Sequence, residues 1–288
     1  MQNRWIVVYT MKAPINKIID FSNVDGPGNR CAIFFQSCPF RCLYCHNPET
    51  IRLCVNCGTC VKQCPVQALS VVDGKVIWDD QKCVECDTCI HVCPNLATPK
   101  IKETEVDDLV AHIKQVKPFI RGITVSGGEC MNQADFLLEL FQKVQALGLT
   151  CLIDSNGIHD FRKFPKLMQV CDGVMLDVKA VDPAFHQELC ACDNAMVLKN
   201  LDYLLEIGKL EEVRTVILPG KDAENEKTVR YVSAHLQGRS RYKLIRYRPF
   251  GVRDAGITAF GNSTYPKAAM EHYEAICREN ATKTCVII

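Results

Sequence analysis

"CAIFFQSCPFRCLYCH", residues 31–46, decides how the rest of the chain is read. It opens as an apolar run of strand length and ends in Cys38, Cys42 and Cys45, spaced CxxxCxxC, with no fourth cysteine before Cys54. Five more strand-like runs keep the same beat: "GITVSG" (122–127), "LTCLID" (149–154), "GVMLDV" (173–178), "VRTVILP" (213–219) and "KLIRY" (243–247). Between them lie helical periods. Val106, Leu109, Val110, Ile113 and Val116 recur at helical spacing, as do Leu137, Leu140, Phe141, Val144 and Leu147 ahead of Gly148. This alternation predicts a parallel sheet with crossover helices, open or curled into part of a barrel. Chemistry in such folds gathers at the carboxyl ends of the strands, where the three cysteines fall.

The chain has 288 residues, with 34 Lys and Arg against 33 Asp and Glu, a net charge of +1 and nothing global that points to nucleic acid or an anionic membrane. "WIVVYTM" (5–11) is too short to span a bilayer and lacks a cleavage site, so a cytoplasmic protein is expected. Met11 offers a tidier start, which marks residues 1–10 as an extension. Nineteen cysteines, an odd number in a long chain without an export signal, are expected to be ligands rather than a disulfide scaffold. Eight are scattered (Cys31, Cys130, Cys151, Cys171, Cys190, Cys192, Cys277 and Cys285) and read as small buried hydrophobes.

The other eleven fall into three groups. "CVNCGTCVKQCPVQA" (54–68) and "CVECDTCIHVCPNLA" (83–97) are two copies of CxxCxxCxxxCP, offset by 29 residues and joined by a predicted hairpin turning at Asp73-Gly74. In such a run three thiolates hold one face of a [4Fe–4S] cube and the fourth ligates the cube of the other copy. One cluster then takes Cys54, Cys57, Cys60 and Cys93, the other Cys83, Cys86, Cys89 and Cys64; a pair of zinc sites is the alternative. The segment at 51–100 resembles bacterial two-cluster ferredoxins and is expected to be an inserted domain, with 1–50 and 101–288 forming the sheet domain. The remaining trio leaves one iron of a third cube without a protein ligand, and an open position marks a reactive site.

CxxxCxxC at the first strand end, with "SGGEC" at the next, resembles the radical SAM enzymes, in which S-adenosylmethionine chelates the open iron. "SNVDGPGNRCAIFFQSCPFRCLYCHNPET" (22–50) narrows the likeness to the glycyl-radical enzyme activating enzymes, relatives of pyruvate formate-lyase activase, in the subgroup with auxiliary clusters. The resemblance implies an α/β fold, a partial (β/α)6 radical SAM barrel carrying an inserted α+β two-cluster ferredoxin-like domain. Three [4Fe–4S] clusters, S-adenosylmethionine and a monovalent cation are the implied cofactors. A glycyl-radical enzyme is the implied protein partner, with a flavodoxin or ferredoxin as electron donor.

By the same likeness Gly127, Gly128 and Glu129 hold the methionine amino group, and Tyr44 and His46 pack the adenine, a core aromatic being the rival reading of Tyr44. Asp154 and Asp177 hold the cation. Asn156, Lys179 and Arg214 lie near the cosubstrate, an Asp177–Lys179 ion pair being the plainer alternative. Arg248, in "YRPFG", stands where many relatives carry histidine. Asp25 to Gly28 lie where the partner's glycine loop docks, and a type II turn is the simpler account of that stretch. Two other readings share many of these features: a radical SAM enzyme acting on a small molecule or peptide, and a ferredoxin-type electron carrier.

Overall fold

The computed structural model describes residues 11–280 and 285–288; the expected extension at 1–10 lies outside them. The strands are β1 (Lys12–Ser22), β2 (Arg30–Phe35), β3 (Leu69–Val72), β4 (Lys75–Trp78), β5 (Lys102–Glu105), β6 (Gly122–Gly127), β7 (Thr150–Ser155), β8 (Gly173–Asp177), β9 (Leu210–Ile217), β10 (Arg241–Arg246) and β11 (Cys285–Ile287). Nine of them form one sheet in the order β11-β10-β9-β8-β7-β6-β2-β1-β5. From β2 to β11 every pairing is parallel. All six expected strands are present and adjacent in chain order, as right-handed crossover connections favour.

Three strands of this sheet leave no clear mark in the sequence. β1 pairs antiparallel with β2 and with β5, and β11 adds a seventh parallel strand at the far edge. Among the described residues the sheet does not close on itself, since β5 and β11 are its two ends.

The helices are α1 (Thr88–His91), α2 (Val106–Val116), α3 (Ala134–Gln145), α4 (Pro165–Val170), α5 (Pro183–Cys190), α6 (Ala195–Glu206), α7 (Asp222–Leu236), α8 (Asp254–Phe260) and α9 (Met270–Glu279). α2 buries the five residues that the helical period picks out. α5 starts where Asp182 caps the Phe185 amide at 3.0 Å and Pro183 takes the first helical turn, whose amides need no helical partner. None of these helices is long and apolar enough to cross a membrane. One core cluster joins the sheet to the helices and includes Ile33, Phe35, Ile123, Val125, Ile153 and Leu176.

Between Ile51 and Lys100 the chain leaves the sheet, and β5 rejoins it beside β1. The segment keeps a small core of its own around Cys60, Leu69 and Val76. β3 and β4 form the expected hairpin, with Asp73 and Gly74 at φ +48° and +73° as a tight turn of that hand requires. The sequence repeat is also a backbone repeat. Left-handed residues recur in pairs 29 apart: Asn56 with Glu85, Gly58 with Asp87, and Gln67 with Leu96.

Candidate active site

The loop after β2 is closed at its base. The Ser37 amide donates to the Thr50 carbonyl at 2.9 Å, and the Cys38 amide to Ile51 at 3.0 Å. The fully buried Gln36 donates its amide to the carbonyls of both Glu49 and Arg52 at 2.6 Å. Cys38, Cys42 and Cys45 are thus carried on a loop of fixed outline at the carboxyl end of the sheet, with Cys42 buried and the other two half-buried. Burial pushes the Cys45 thiol up to about 11 and the Cys38 thiol higher, so neither ionises readily on its own. Buried thiols of this kind become good ligands when a metal replaces their protons.

The next strand end is fitted to that loop. The Gly128 amide donates to the Phe35 carbonyl and the Glu129 amide to Ser37, both at 2.8 Å. At φ +115° Gly127 passes so near the neighbouring strand that a Cβ would stand 2.2 Å from the Phe35 nitrogen; one on Gly128 would stand 2.3 Å from the Ser37 carbonyl oxygen. Only glycine allows this approach. From the third strand end, Asn156 donates its side-chain amide to the Cys38 sulfur at 3.4 Å.

A cavity of about 390 Å³ is lined by Val24, His46 from the cysteine loop, Arg214, Lys243, Arg248 and Phe250 among others. The loop that links β1 to β2 folds inward to reach it, with the Asp25 carbonyl accepting from Thr124 and Gly26 lying against Leu152. Val24, next to the DGPG stretch, therefore shares one chamber with His46 and Arg248.

A family model described as the radical SAM superfamily matches residues 32–232. A putative glycyl-radical enzyme activating enzyme of Haemophilus influenzae is 31% identical over 94% of this chain and 96% of its own length. The chain belongs to this activating-enzyme family. A choline trimethylamine-lyase activating enzyme of Oleidesulfovibrio alaskensis is 30% identical over 93% of the chain and 96% of its own. A trans-4-hydroxy-L-proline dehydratase activating enzyme of Clostridioides difficile is 33% identical over 70% and 72%. Among solved structures, QueE from Escherichia coli matches 96% of the chain and 94% of its own at 14% identity and TM-score 0.53, a likeness of fold. Membership of the superfamily implies a [4Fe–4S] cluster and S-adenosylmethionine.

In this activase the side chains that the resemblance names are held as follows. Glu129 is 1% exposed, and its carboxylate accepts from the Met131 amide at 3.0 Å, the Ser155 hydroxyl at 2.9 Å and the Asn156 amide at 2.8 Å. It ties the second strand end to the third, and burial raises its carboxyl to about 7. Tyr44 is 5% exposed with the Lys179 ammonium 5.6 Å from its ring centre, which fits the core-aromatic reading. Lys179 pairs with Asp177 at 2.8 Å, the plainer alternative named for it.

Arg214 lies within β9 rather than at its end. It bonds Asp154 at 2.8 Å and Glu212 at 2.7 Å, while Lys243 reaches Glu212 at 2.9 Å. The two aspartates expected around one cation thus have separate basic partners. Ser126 also donates to Asp154 at 3.0 Å, yet burial lifts that carboxyl to about 6. His46 meets the Arg248 residue through its backbone carbonyl at 3.0 Å, and Gly251 lets the loop close, since a Cβ there would lie 2.3 Å from the His46 carbonyl oxygen. The exposed Arg248 side chain lines the cavity.

Six of the scattered cysteines are buried as expected, whereas Cys192 and Cys285 are half-buried. Cys190 is more than a space-filling hydrophobe, because its sulfur stands 3.6 Å from that of Cys42. No local pattern signals this contact, since 148 residues separate the two.

In the segment at 51–100 the eight repeat cysteines sort into two small cavities. Cys54, Cys57, Cys60 and Cys93 line one; Cys64, Cys83, Cys86 and Cys89 line the other. Matching threonines attend matching thiols, Thr59 at 3.4 Å from Cys57 and Thr88 at 3.3 Å from Cys86.

Proposed function

We propose that Cys38, Cys42 and Cys45 hold a [4Fe–4S] cluster with one open iron, and that the protein serves a partner glycyl-radical enzyme as its activase. When bound, this cluster supplies an electron to the sulfonium of S-adenosylmethionine, giving methionine and a 5′-deoxyadenosyl radical that takes a hydrogen from one glycine Cα of the partner. The chain's own residues orient and enclose the reactants. Gly127 and Gly128 bring bare backbone beside the cysteine loop, and His46 and Arg248 border the chamber. The Asp25–Gly28 loop and an unclosed sheet give a protein segment a way in. The observation that carries the reading is the docking of the glycine turn on the three-cysteine loop, in a chain that covers nearly the whole length of its activating-enzyme relatives.

In this reading residues 51–100 form an inserted ferredoxin-like domain that holds two further [4Fe–4S] clusters, which relay electrons from a low-potential flavodoxin or ferredoxin in the cytoplasm. The four-and-four sorting of the thiols supports it. A monovalent cation near Asp154 and Asp177 would share those carboxylates with Arg214 and Lys179.

The test is anaerobic reconstitution, reduction in the presence of S-adenosylmethionine, and paramagnetic resonance of a glycyl-radical enzyme encoded beside this gene. 5′-Deoxyadenosine and a glycyl radical are expected. Cys42→Ala should abolish both and keep the iron of the other two sites. Full cleavage by that variant refutes the trio assignment; electron uptake by the wild type without any 5′-deoxyadenosine leaves the electron-carrier reading standing.

A further inference from the structure

Cys190 ends α5, and that end of the helix is pinned to the cysteine loop. The Arg41 amide donates to the Cys190 carbonyl at 2.8 Å and the Leu43 amide to the Leu189 carbonyl at 2.9 Å. These bonds straddle Cys42 and fix its backbone against the helix end, and its sulfur lies 3.6 Å from that of Cys190, which is fully buried. Two thiols 3.6 Å apart can share one proton in a hydrogen bond between sulfurs. A cluster ligand is a thiolate and only accepts, so the donor across this contact is the S–H of Cys190.

We propose that Cys190 is a positioning residue for the activation chemistry: its thiol donates a hydrogen bond to the ligand sulfur of Cys42 and raises the reduction potential of the trio's cluster. The inference rests on the assignment of that cluster made above. Reduction adds negative charge that spreads onto the ligand sulfurs, and a donor aimed at one of them stabilises the reduced state more than the oxidised one. Asn156 already donates to Cys38 from the loop that follows β7. Cys190 supplies a second donor, to a different sulfur and from a different element. Cys192, two residues on, bonds the Pro39 carbonyl at 3.4 Å instead and so serves as an internal control.

The experiment is a redox titration of the fully reconstituted protein followed by paramagnetic resonance, the trio's cluster being the signal that changes when S-adenosylmethionine is added. Cys190→Ala, and Cys190→Val as an apolar replacement that leaves no gap, should make that cluster harder to reduce. The expected effect is up to about tenfold in the reduction equilibrium, equivalent to about 59 mV for one electron. Cys190→Ser, with a hydroxyl donor in place, should return the wild-type potential or exceed it, and Cys192→Ala should leave it unchanged. An unshifted potential in both apolar variants, with the responsive signal intact, overturns the role of Cys190. Absence of any responsive signal in the wild type overturns the cluster assignment itself, and the inference with it.

Discussion

Replacing Glu129 by glutamine separates two roles that the same carboxylate could have. The side chain is 1% exposed and accepts three hydrogen bonds, one of its oxygens serving Met131 and Ser155 and the other serving the Asn156 amide. A glutamine can keep its oxygen where two donors converge, but its NH2 then faces the Asn156 N–H. One bond is lost and a buried donor is left unpaired, at a cost of about 1–3 kcal/mol. Against this stands the cost of a buried charge. The Glu129 carboxyl is raised from 4.5 to about 7, so between those values the folded state keeps a proton that the unfolded state has released. The contribution of Glu129 to stability therefore falls as pH rises through that window and is level above it. The fall is on the order of 3 kcal/mol, since a tenfold change in proton affinity is worth about 1.36 kcal/mol.

Glu129→Gln removes this slope. The variant should be the less stable protein at pH 5 and equal or better at pH 8, with the difference between the two curves changing by about 3 kcal/mol. Urea unfolding of anaerobically purified protein from pH 4.5 to 8 measures it. Parallel curves for wild type and variant would show that the carboxylate is not buried and bonded as described. Because the carboxylate is engaged by these three donors, affinity for S-adenosylmethionine should survive the substitution; a loss of more than about tenfold with the fold intact would return Glu129 to direct contact with the ligand.

Two further outcomes follow from close packing and buried charge. Gly127→Ala should lose several kcal/mol, since the left-handed backbone and a 2.2 Å clash with Phe35 add together, and thermal unfolding will show a large drop or no folded protein; a change under about 1 kcal/mol would contradict the geometry. Arg214→Leu strands Asp154 and removes one of the cations around Glu212, a loss of about 3–5 kcal/mol at high pH that should shrink as pH falls toward about 6, because Asp154 without its guanidinium partner takes up a proton at higher pH than in the wild type; denaturation midpoints at pH 5 and 8 decide it.

Much of this molecule can be read before it is folded, and the rest cannot for identifiable reasons. The six parallel strands announce themselves because each is a continuous apolar run bounded by helical periods. The repeat at 54–97 is visible because spacing alone sets which thiols can surround a common point, and the two cavities hold the four-and-four division that the spacing implies. β1 mixes polar and apolar residues without a steady alternation and β11 is three residues long, so neither has a pattern strong enough to stand out. The direction in which Glu129 points depends on donors from Met131, Ser155 and Asn156, and the Arg214 network depends on Glu212 and Lys243 from two strands. Such facts arise from register between distant segments. A motif reveals which residue types are present and leaves open which way they turn.

The crossing of Cys64 and Cys93 between the two small cavities has a consequence for how that segment can be altered. Each ring of four thiols borrows its last member from the opposite copy, so neither half can complete its own ring. Deleting either copy leaves three thiols on one side and a single stray one on the other. The pair is interlocked like two clasped hands, and the segment stands or falls as a unit.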